Sequence, residues 1–288
     1  MTKPDKSELF GFLNINKPKG ITSFDVIYKL RKILGIKKIG HGGTLDPLAS
    51  GVLPIGVGDA TRLLEYLEGD KKYIGKIKFG EISKTYDEEG EKEKIKEPNF
   101  TLSEFQAALV YFKGKIEQKP PMYSAIKIKG QKLYNLARKG IELDVPKRRV
   151  EIYDIKILSF NLPFAEIEVS CSEGAYIRSL ANDIGEKLGC GAYLADLKRV
   201  SASGFNIEDS CNLDNLGEII EPQNVLKMPK YELNDEEFKK IINGNPIKIN
   251  SDFNNEKIML VYKKKLVSIS KISDRIIKVE KVFKRNFE

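Results

Sequence analysis

The run Gly40-His41-Gly42-Gly43-Thr44-Leu45-Asp46-Pro47-Leu48-Ala49-Ser50-Gly51 constrains the chain more than any other stretch. Its four glycines let the backbone bend into conformations closed to other residues and let another segment or a ligand approach closely. Pro47 pushes Asp46 toward extended geometry, so this carboxylate has few conformations to lose. A stiffened aspartate in a permissive loop is what a carboxylate nucleophile needs. A surface Asx-turn is the plainer alternative for the same residues.

The flanks of this loop set its surroundings. Residues 11–20 read as a short strand entering a turn. Thr22 with Asp25 three residues later forms a capping-box pattern for a helix whose stripe is Val26, Ile27, Leu30, Ile33 and Leu34, ended by Gly35. Lys29, Arg31, Lys32, Lys37 and Lys38 lie on its outer face and exit, as a solvated face or as a surface that steers phosphates toward Asp46. Residues 52–57 read as a buried strand, followed by a short helix through Leu67 with Asp59 as its cap. Gly56-Val57-Gly58 lacks the third glycine of a dinucleotide fingerprint, Thr61 standing in its place, and no Walker A sequence occurs.

Residues 72–80 alternate as a strand, with Tyr73, Gly75, Ile77 and Phe79 on one face. Tyr73 is a core or rim tyrosine on this pattern alone. Residues 84–98 are acidic, lack apolar periodicity and are expected to form a mobile loop. Thr101 and Glu104 cap a second helix, with Leu102, Phe105, Ala108, Leu109 and Phe112 at core spacing. Pro120 and Pro121 make residues 118–127 a rigid approach to a strand, and a short helix around Leu133–Ala137 is stopped by Gly140. Residues 150–160 and 164–171 read as paired strands around 161–163, one face of the second being wet. Residues 173–178 open a helix with the stripe Ile177, Leu180, Ala181, Ile184 and Leu188. Arg178 falls in its first turn, an unfavourable end for a cation, and so has either a carboxylate partner or a solvated position. Residues 192–205 form a strand or loop.

Composition shifts after Asn212. Three units are expected: a main unit over 1–212, a linker with helical character over 213–226, and a module over 227–288. That module has one helix near 236–243 and strands at 258–262, 266–270 and 276–279, and at about sixty residues should pack against the rest.

Totals exclude several chemistries. A single histidine makes a His-based metal cluster or a Ser-His-Asp triad untenable, and Cys171, Cys190 and Cys211 form neither a disulfide framework nor a zinc pattern. No metal or cofactor is expected. The net charge of +8 over 288 residues favours a polyanionic partner. No apolar run approaches a membrane span and no signal-peptide core follows the first residues, so a cytoplasmic protein is expected.

Residues 40–67, from Gly-His-Gly-Gly-Thr-Leu-Asp-Pro through Leu-Leu-Glu-Tyr-Leu, resemble the signature of the TruB family, the bacterial tRNA pseudouridine-55 synthases. Lys17-Pro18-Lys19-Gly20-Ile21-Thr22-Ser23, Pro121-Met122-Tyr123-Ser124-Ala125 and Gly174-Ala175-Tyr176-Ile177-Arg178-Ser179-Leu180 resemble three further stretches of that family, in order over about 12–205. The tail resembles a PUA-type RNA-binding module. The resemblance implies an α+β fold with a mixed, largely antiparallel sheet, and isomerisation of uridine-55 in the T-arm loop of tRNA to pseudouridine. It also implies site roles: Asp46 as nucleophile, Arg178 as its counter-charge, and Tyr73 against the target base, assisting loss of the C5 proton. Tyr176 and Leu197 would line the uracil pocket and His41 would contact the substrate during base flipping. Lys17 would support the loop or a phosphate, with a solvated surface lysine as the alternative. A monomer acting on the T-arm stem-loop, without a small-molecule cofactor or membrane, is expected. Against this stand an RNA-binding or tRNA-folding protein without essential catalysis, and a metal-dependent phosphate-ester hydrolase, which would need clustered carboxylates.

Overall fold

Two-residue alternation builds most of the molecule. The computed structural model describes residues 9–124, 127–128, 130–133, 136, 140–141, 143, 145–250, 253, 257–284 and 287. In chain order the elements are β1 (Gly11–Lys17), α1 (Ser23–Leu34), β2 (Ile39–His41), β3 (Ala49–Val57), a 3-10 helix (Gly58–Tyr66), β4 (Lys71–Phe79), β5 (Glu81–Ser83) and β6 (Lys92–Lys94). There follow α2 (Leu102–Val110), β7 (Gly114–Gln118), β8 (Lys127–Ile128), β9 (Gln131–Lys132), β10 (Arg148–Asn161), β11 (Phe164–Cys171), α3 (Ile177–Lys187), β12 (Ala192–Ala202) and β13 (Phe205–Asn206). The last part holds β14 (Lys230–Glu232), α4 (Asp235–Ile242), β15 (Ile247–Lys248), β16 (Lys257–Tyr262), β17 (Lys265–Ser273) and β18 (Ile276–Val282).

The main sheet has the order β1-β3-β12-β4-β11-β10-β7, with β2 added to β3 and β13 to β12. Among the described residues its strands pair antiparallel except β3 with β12, where Leu197 faces Ala49 and Arg199 faces Gly51. The expected alternation holds: Tyr73, Ile77 and Phe79 of β4 and Ala165, Ile167, Val169 and Cys171 of β11 are buried in one core with Val26, Ile27 and Leu30 of α1 and Leu180 and Ile184 of α3. β1 and β3 are covered on both faces. Leu13, Ile15, Leu53 and Ile55 join that core, while Phe12 and Val52 enter a second one with Met259, Leu266, Ile269 and Phe283 from the C-terminal sheet. That sheet, ordered β14-β16-β17-β18-β15, therefore lies against the β1–β3 end and leaves the centre of the main sheet free for a site.

Both capping boxes form, with Thr22 accepting from the Asp25 amide and Thr101 from the Glu104 amide, and Gly35 ends α1 in the left-handed region. Several expectations are corrected. Ile33 and Leu102 sit at the margins of their helical stripes and are exposed. The segment after β3 is a 3-10 helix entered from extended Val57 with no side-chain cap, and Asp59 instead pairs with Lys38. Residues 213–226 are not helical beyond the single turn Pro222–Asn224; the segment runs back along β1, where the Phe12 and Ile220 amides and carbonyls exchange bonds of 2.8 Å. β14 and β15, three and two residues long, carry too few residues to show a period. Residues 84–98 are no free loop: β5 pairs with β6, and the Leu194 amide donates to the Tyr86 carbonyl at 3.0 Å. The short helix expected around Leu133–Ala137 lies largely outside the described residues.

Gly51 fixes the β3–β12 crossing. Its φ is +103°, and a Cβ there would lie 2.1 Å from the Arg199 carbonyl oxygen, a backbone atom that cannot swing away. Gly51→Ala is expected to destabilise the fold by about 1–3 kcal/mol or more, read as a lowered urea midpoint, with Ser50→Ala as the neighbouring control. An unchanged midpoint would mean that the two strands part by a methyl's width at no cost.

Candidate active site

The glycine-rich loop is clamped before it presents anything. Ser23, the first residue of α1, accepts from the Leu45 amide at 2.8 Å and donates its hydroxyl to the Leu45 carbonyl at 3.0 Å. The Gly20 amide donates to the Pro47 carbonyl at 2.8 Å and the Gly42 amide to the Pro54 carbonyl at 2.8 Å. Leu45 and Leu48 are buried, so Asp46 projects from a segment anchored on both sides. The surface-turn reading of Asp46 fails on this geometry: a side-chain oxygen lies 3.0 Å from an Arg178 nitrogen, and the side chain keeps 35 % exposure toward a cavity.

Arg178 is 4 % exposed and fully engaged. One terminal nitrogen meets Asp46 at 3.0 Å and the Tyr123 carbonyl at 3.0 Å; the other meets Asp87 at 3.0 Å and the Thr85 carbonyl at 3.3 Å. Asp87 is 2 % exposed and also accepts from the Thr85 hydroxyl and, at 3.1 Å, from the Glu89 amide. The guanidinium thus joins a buried carboxylate that holds it to a half-open carboxylate that faces the cavity. Burial pushes the Asp46 carboxyl above its ordinary range and Asp87 adds repulsion, while Arg178 foremost pulls it back toward ionisation.

Two cavities meet at Asp46. One, of about 280 Å³, is lined by Tyr73, Tyr176, Leu197 and Arg199; the other, of about 540 Å³, is lined by His41, Phe24, Asp87 and Glu89. Thr44, Leu45, Asp46, Ser124 and Arg178 border both. Of the residues singled out in the sequence, Asp46 and Arg178 border both cavities, His41 lines the larger, and Tyr73, Tyr176 and Leu197 line the smaller. Tyr73 is buried; burial raises its pKa, against the opposing influence of the Arg199 charge, so it is a neutral phenol at pH 7. Tyr176 caps α3, its amide donating to Gln118 at 2.7 Å and its carbonyl accepting from Gln118 at 3.0 Å. Burial, then Arg199, lowers the pKa of His41, which leaves a neutral imidazole.

Lys17 lines neither cavity and is fully buried, which removes the solvated-lysine alternative. Its ammonium donates to the Ile21 carbonyl at 2.7 Å and the Pro18 carbonyl at 3.0 Å, tying the turn before α1. Burial lowers its pKa to about 8, with the Asp46 charge the foremost opposing influence.

Four contributors escaped sequence reading. Asp87 stood in a stretch of equally acidic neighbours. Arg199 shares the strand face of Leu197 and is 1 % exposed, its guanidinium donating to the Val52 carbonyl at 2.7 Å and the Gly43 carbonyl at 3.1 Å. An arginine two residues from a core leucine in a strand was its signal. Ser23 carries no signal beyond ending a family-like motif, and Gln118 none beyond lying just before another. Among the described residues no group of three or more His, Cys, Asp or Glu could hold a metal ion. Asp46 and Asp87 instead bind different nitrogens of one guanidinium.

Comparison with known proteins gives this arrangement its relatives. The family model described as TruB family pseudouridylate synthase, N-terminal domain, matches residues 31–177, and that of the tRNA pseudouridylate synthase B C-terminal domain matches residues 178–228. The chain is 43% identical over 290 residues to tRNA pseudouridine synthase B of Clostridium kluyveri, covering 95% of this chain and 99% of that protein. It is 49% identical over 242 residues to the protein of the same name from Clostridium acetobutylicum, covering 81% and 84% of the two. A chain in a solved Cbf5–Nop10–Gar1 complex has a similar fold, with a TM-score of 0.73 and 25% identity over 98% of this chain and 87% of that one. The chain belongs to the TruB family of pseudouridylate synthases.

Proposed function

We propose that this protein isomerises uridine-55 in the T-arm loop of tRNA to pseudouridine, with Asp46 as the nucleophile. The observation that carries the assignment is the 3.0 Å pair of a cavity-facing Asp46 with an Arg178 that Asp87 holds from behind. The relatives named tRNA pseudouridine synthase B support the substrate. The reaction breaks the bond from ribose C1′ to N1, turns the uracil and joins C5 to C1′. N1 gains a proton and C5 loses one, so no oxidant, reductant or added group is needed. A carboxylate nucleophile suffices, provided it is ionised in a site dry enough to keep it reactive.

Each remaining residue has a place in this reading. The smaller cavity takes the extruded uracil, with the Tyr73 ring against it and Tyr176 and Leu197 as walls. Tyr73 can take the C5 proton only after its own phenolic proton has left, and neighbouring Arg199 favours that loss against the effect of burial. His41, neutral and planar, contacts the RNA from the larger cavity as the base leaves its stack, where a ring offsets part of an unstacking cost of a few kcal/mol. Lys17 supports the loop from below. Residues 1–212 form the catalytic unit, 213–226 the connection, and 227–288 a PUA-like RNA-binding module. The protein acts as a monomer in the cytoplasm; no helix among the described residues is long and apolar enough to cross a membrane.

Release of tritium from C5-labelled uridine in a tRNA transcript tests the assignment, with Asp46→Asn expected to abolish it. Because the Asp46 pKa is raised, folding favours its protonated form, and the ionised carboxylate weakens folding once the pH exceeds that raised value. Asp46→Asn should therefore unfold at the same or a higher urea concentration than wild type, so lost activity is not lost folding. Undiminished tritium release by this variant would refute the nucleophile. Arg178→Lys, which cannot bridge both carboxylates, should lower kcat about 100-fold or more while tRNA affinity is mostly kept; a defect confined to affinity would contradict its role.

The pH profile supplies an independent check. The acid limb of kcat/KM reports ionisation of Asp46 in the free enzyme. Asp87 raises the Asp46 pKa, so Asp87→Asn should move that limb to lower pH while kcat falls through loss of the Arg178 anchor. A limb that moves upward would place the titrating group elsewhere.

A further inference from the structure

The first turns of α1 carry large aromatic side chains that the fold does not use. Phe24 is 63 % exposed and Tyr28 is 53 % exposed, although α1 is already held by its capping box and by buried Val26, Ile27 and Leu30. Phe24 nevertheless borders the larger cavity, together with His41 and Asp46. Tyr28 lies one turn further on, about 6 Å along the helix axis and on the same side. Each ring is accompanied by a cation: the Arg31 guanidinium lies 5.9 Å from the Phe24 centroid, and the Lys32 ammonium 4.4 Å from that of Tyr28. Lys29 and Lys32 also border a hollow of about 500 Å³ on the adjoining side of the helix. The carboxylate of the helix start, Asp25, is occupied, accepting from the Thr22 amide at 2.8 Å and from the Thr22 hydroxyl at 2.6 Å.

Exposed rings have no folding benefit, and a stripe that begins at the mouth of a site marks a contact surface. Its chemistry selects the occupant. Rings interleaved with ammonium and guanidinium groups suit single-stranded nucleic acid, because every base has a face to stack and every nucleotide a phosphate to neutralise. A lipid surface would call for an uninterrupted apolar face, which the cations break.

We propose that Phe24 and Tyr28 form a stacking platform for an unpaired base flanking the target uridine, with Lys29 and Lys32 on its phosphates. The proposal rests on the functional reading above. A loop opened to release one base unstacks its neighbour as well, and a ring at the cavity mouth gives that neighbour a new stack. Phe24 and Tyr28 are therefore substrate-binding residues outside the chemistry. Their removal should act on KM and on RNA affinity, with little effect on the isomerisation step itself.

The chain contains no tryptophan, so Phe24→Trp creates a single reporter. In an Asp46→Asn background, titration with a T-arm stem-loop RNA at low salt should quench its emission saturably, and a fully paired duplex of the same length should not. In the active enzyme, Phe24→Ala and Phe24→Leu should each raise KM about 5-fold or more, since leucine keeps the apolar area but offers no ring. Phe24→Trp should stay near wild type. Wild-type KM in both the alanine and leucine variants, or emission unchanged at saturating RNA, would overturn the platform. Absence of tritium release by the wild-type enzyme would sink the functional reading instead, while quenching would still report a stacked base.

Discussion

The buried bridge of Arg178 between Asp87 and Asp46 is the interaction on which the site depends. A guanidinium at the first turn of a helix has the helix dipole against it, and one that is 4 % exposed has also lost its water. Only full engagement makes that position tolerable, and each terminal nitrogen of Arg178 does find a carboxylate and a backbone carbonyl. The arrangement is asymmetric in solvent, with Asp87 sealed and Asp46 open to the cavities. The sealed carboxylate fixes the arginine, and the arginine then fixes the direction and the charge of the open one. An isolated Asp46 in the same surroundings would be driven to protonate, and a protonated carboxyl is no nucleophile.

That bridge needs a frame able to hold residues from distant parts of the chain to a fraction of an ångström. The frame is the parallel seam of β3 and β12. Asp46 leaves the loop three residues before Ala49, which pairs with Leu197, and Gly51 brings its backbone directly under Arg199. Arg199 in turn donates to Gly43 and Val52, so one buried guanidinium ties the loop to the strand after it and lines the smaller cavity beside Tyr73. Lys17 does the same for the turn preceding α1, and Ser23 locks α1 itself to Leu45. Because the C-terminal sheet covers the opposite face of β1 and β3, these polar contacts are built on strands that are rigid from both sides.

Most of the scaffold could be read from local patterns because local physics decides it. The capping boxes at Thr22 and Thr101 and the alternation of β4 and β11 depend on residues a few positions apart. The site was legible where a residue contradicted its surroundings: Asp46 by its stiffened loop, Arg178 by its wrong helix end. Asp87 could not be found this way. Its partner lies 91 residues on, its neighbours are as acidic as it is, and its burial exists only because β5 and β6 pair and Tyr86 meets Leu194. The same holds for residues 213–226, whose apolar spacing suggested a helix but whose backbone groups found a better partner in the edge of β1.

The state of the neighbouring side chains gives the bridge its chemical setting. Burial holds Tyr73 as a phenol and keeps His41 as an imidazole, while it raises Glu89 at the rim of the larger cavity above the ordinary carboxyl value. The smaller cavity thus presents the rings of Tyr73 and Tyr176 beside the charges of Asp46, Arg178 and Arg199. Phosphates meet the opposite situation on the outer surface of α1, where Lys29 and Lys32 remain in water. A polyanion is drawn to the outside of the helix by long-range attraction and its neutral base is drawn inward by shape and stacking. Asp46 is thereby paired with one buried guanidinium, while the lysines of α1 stay on the outside of the helix.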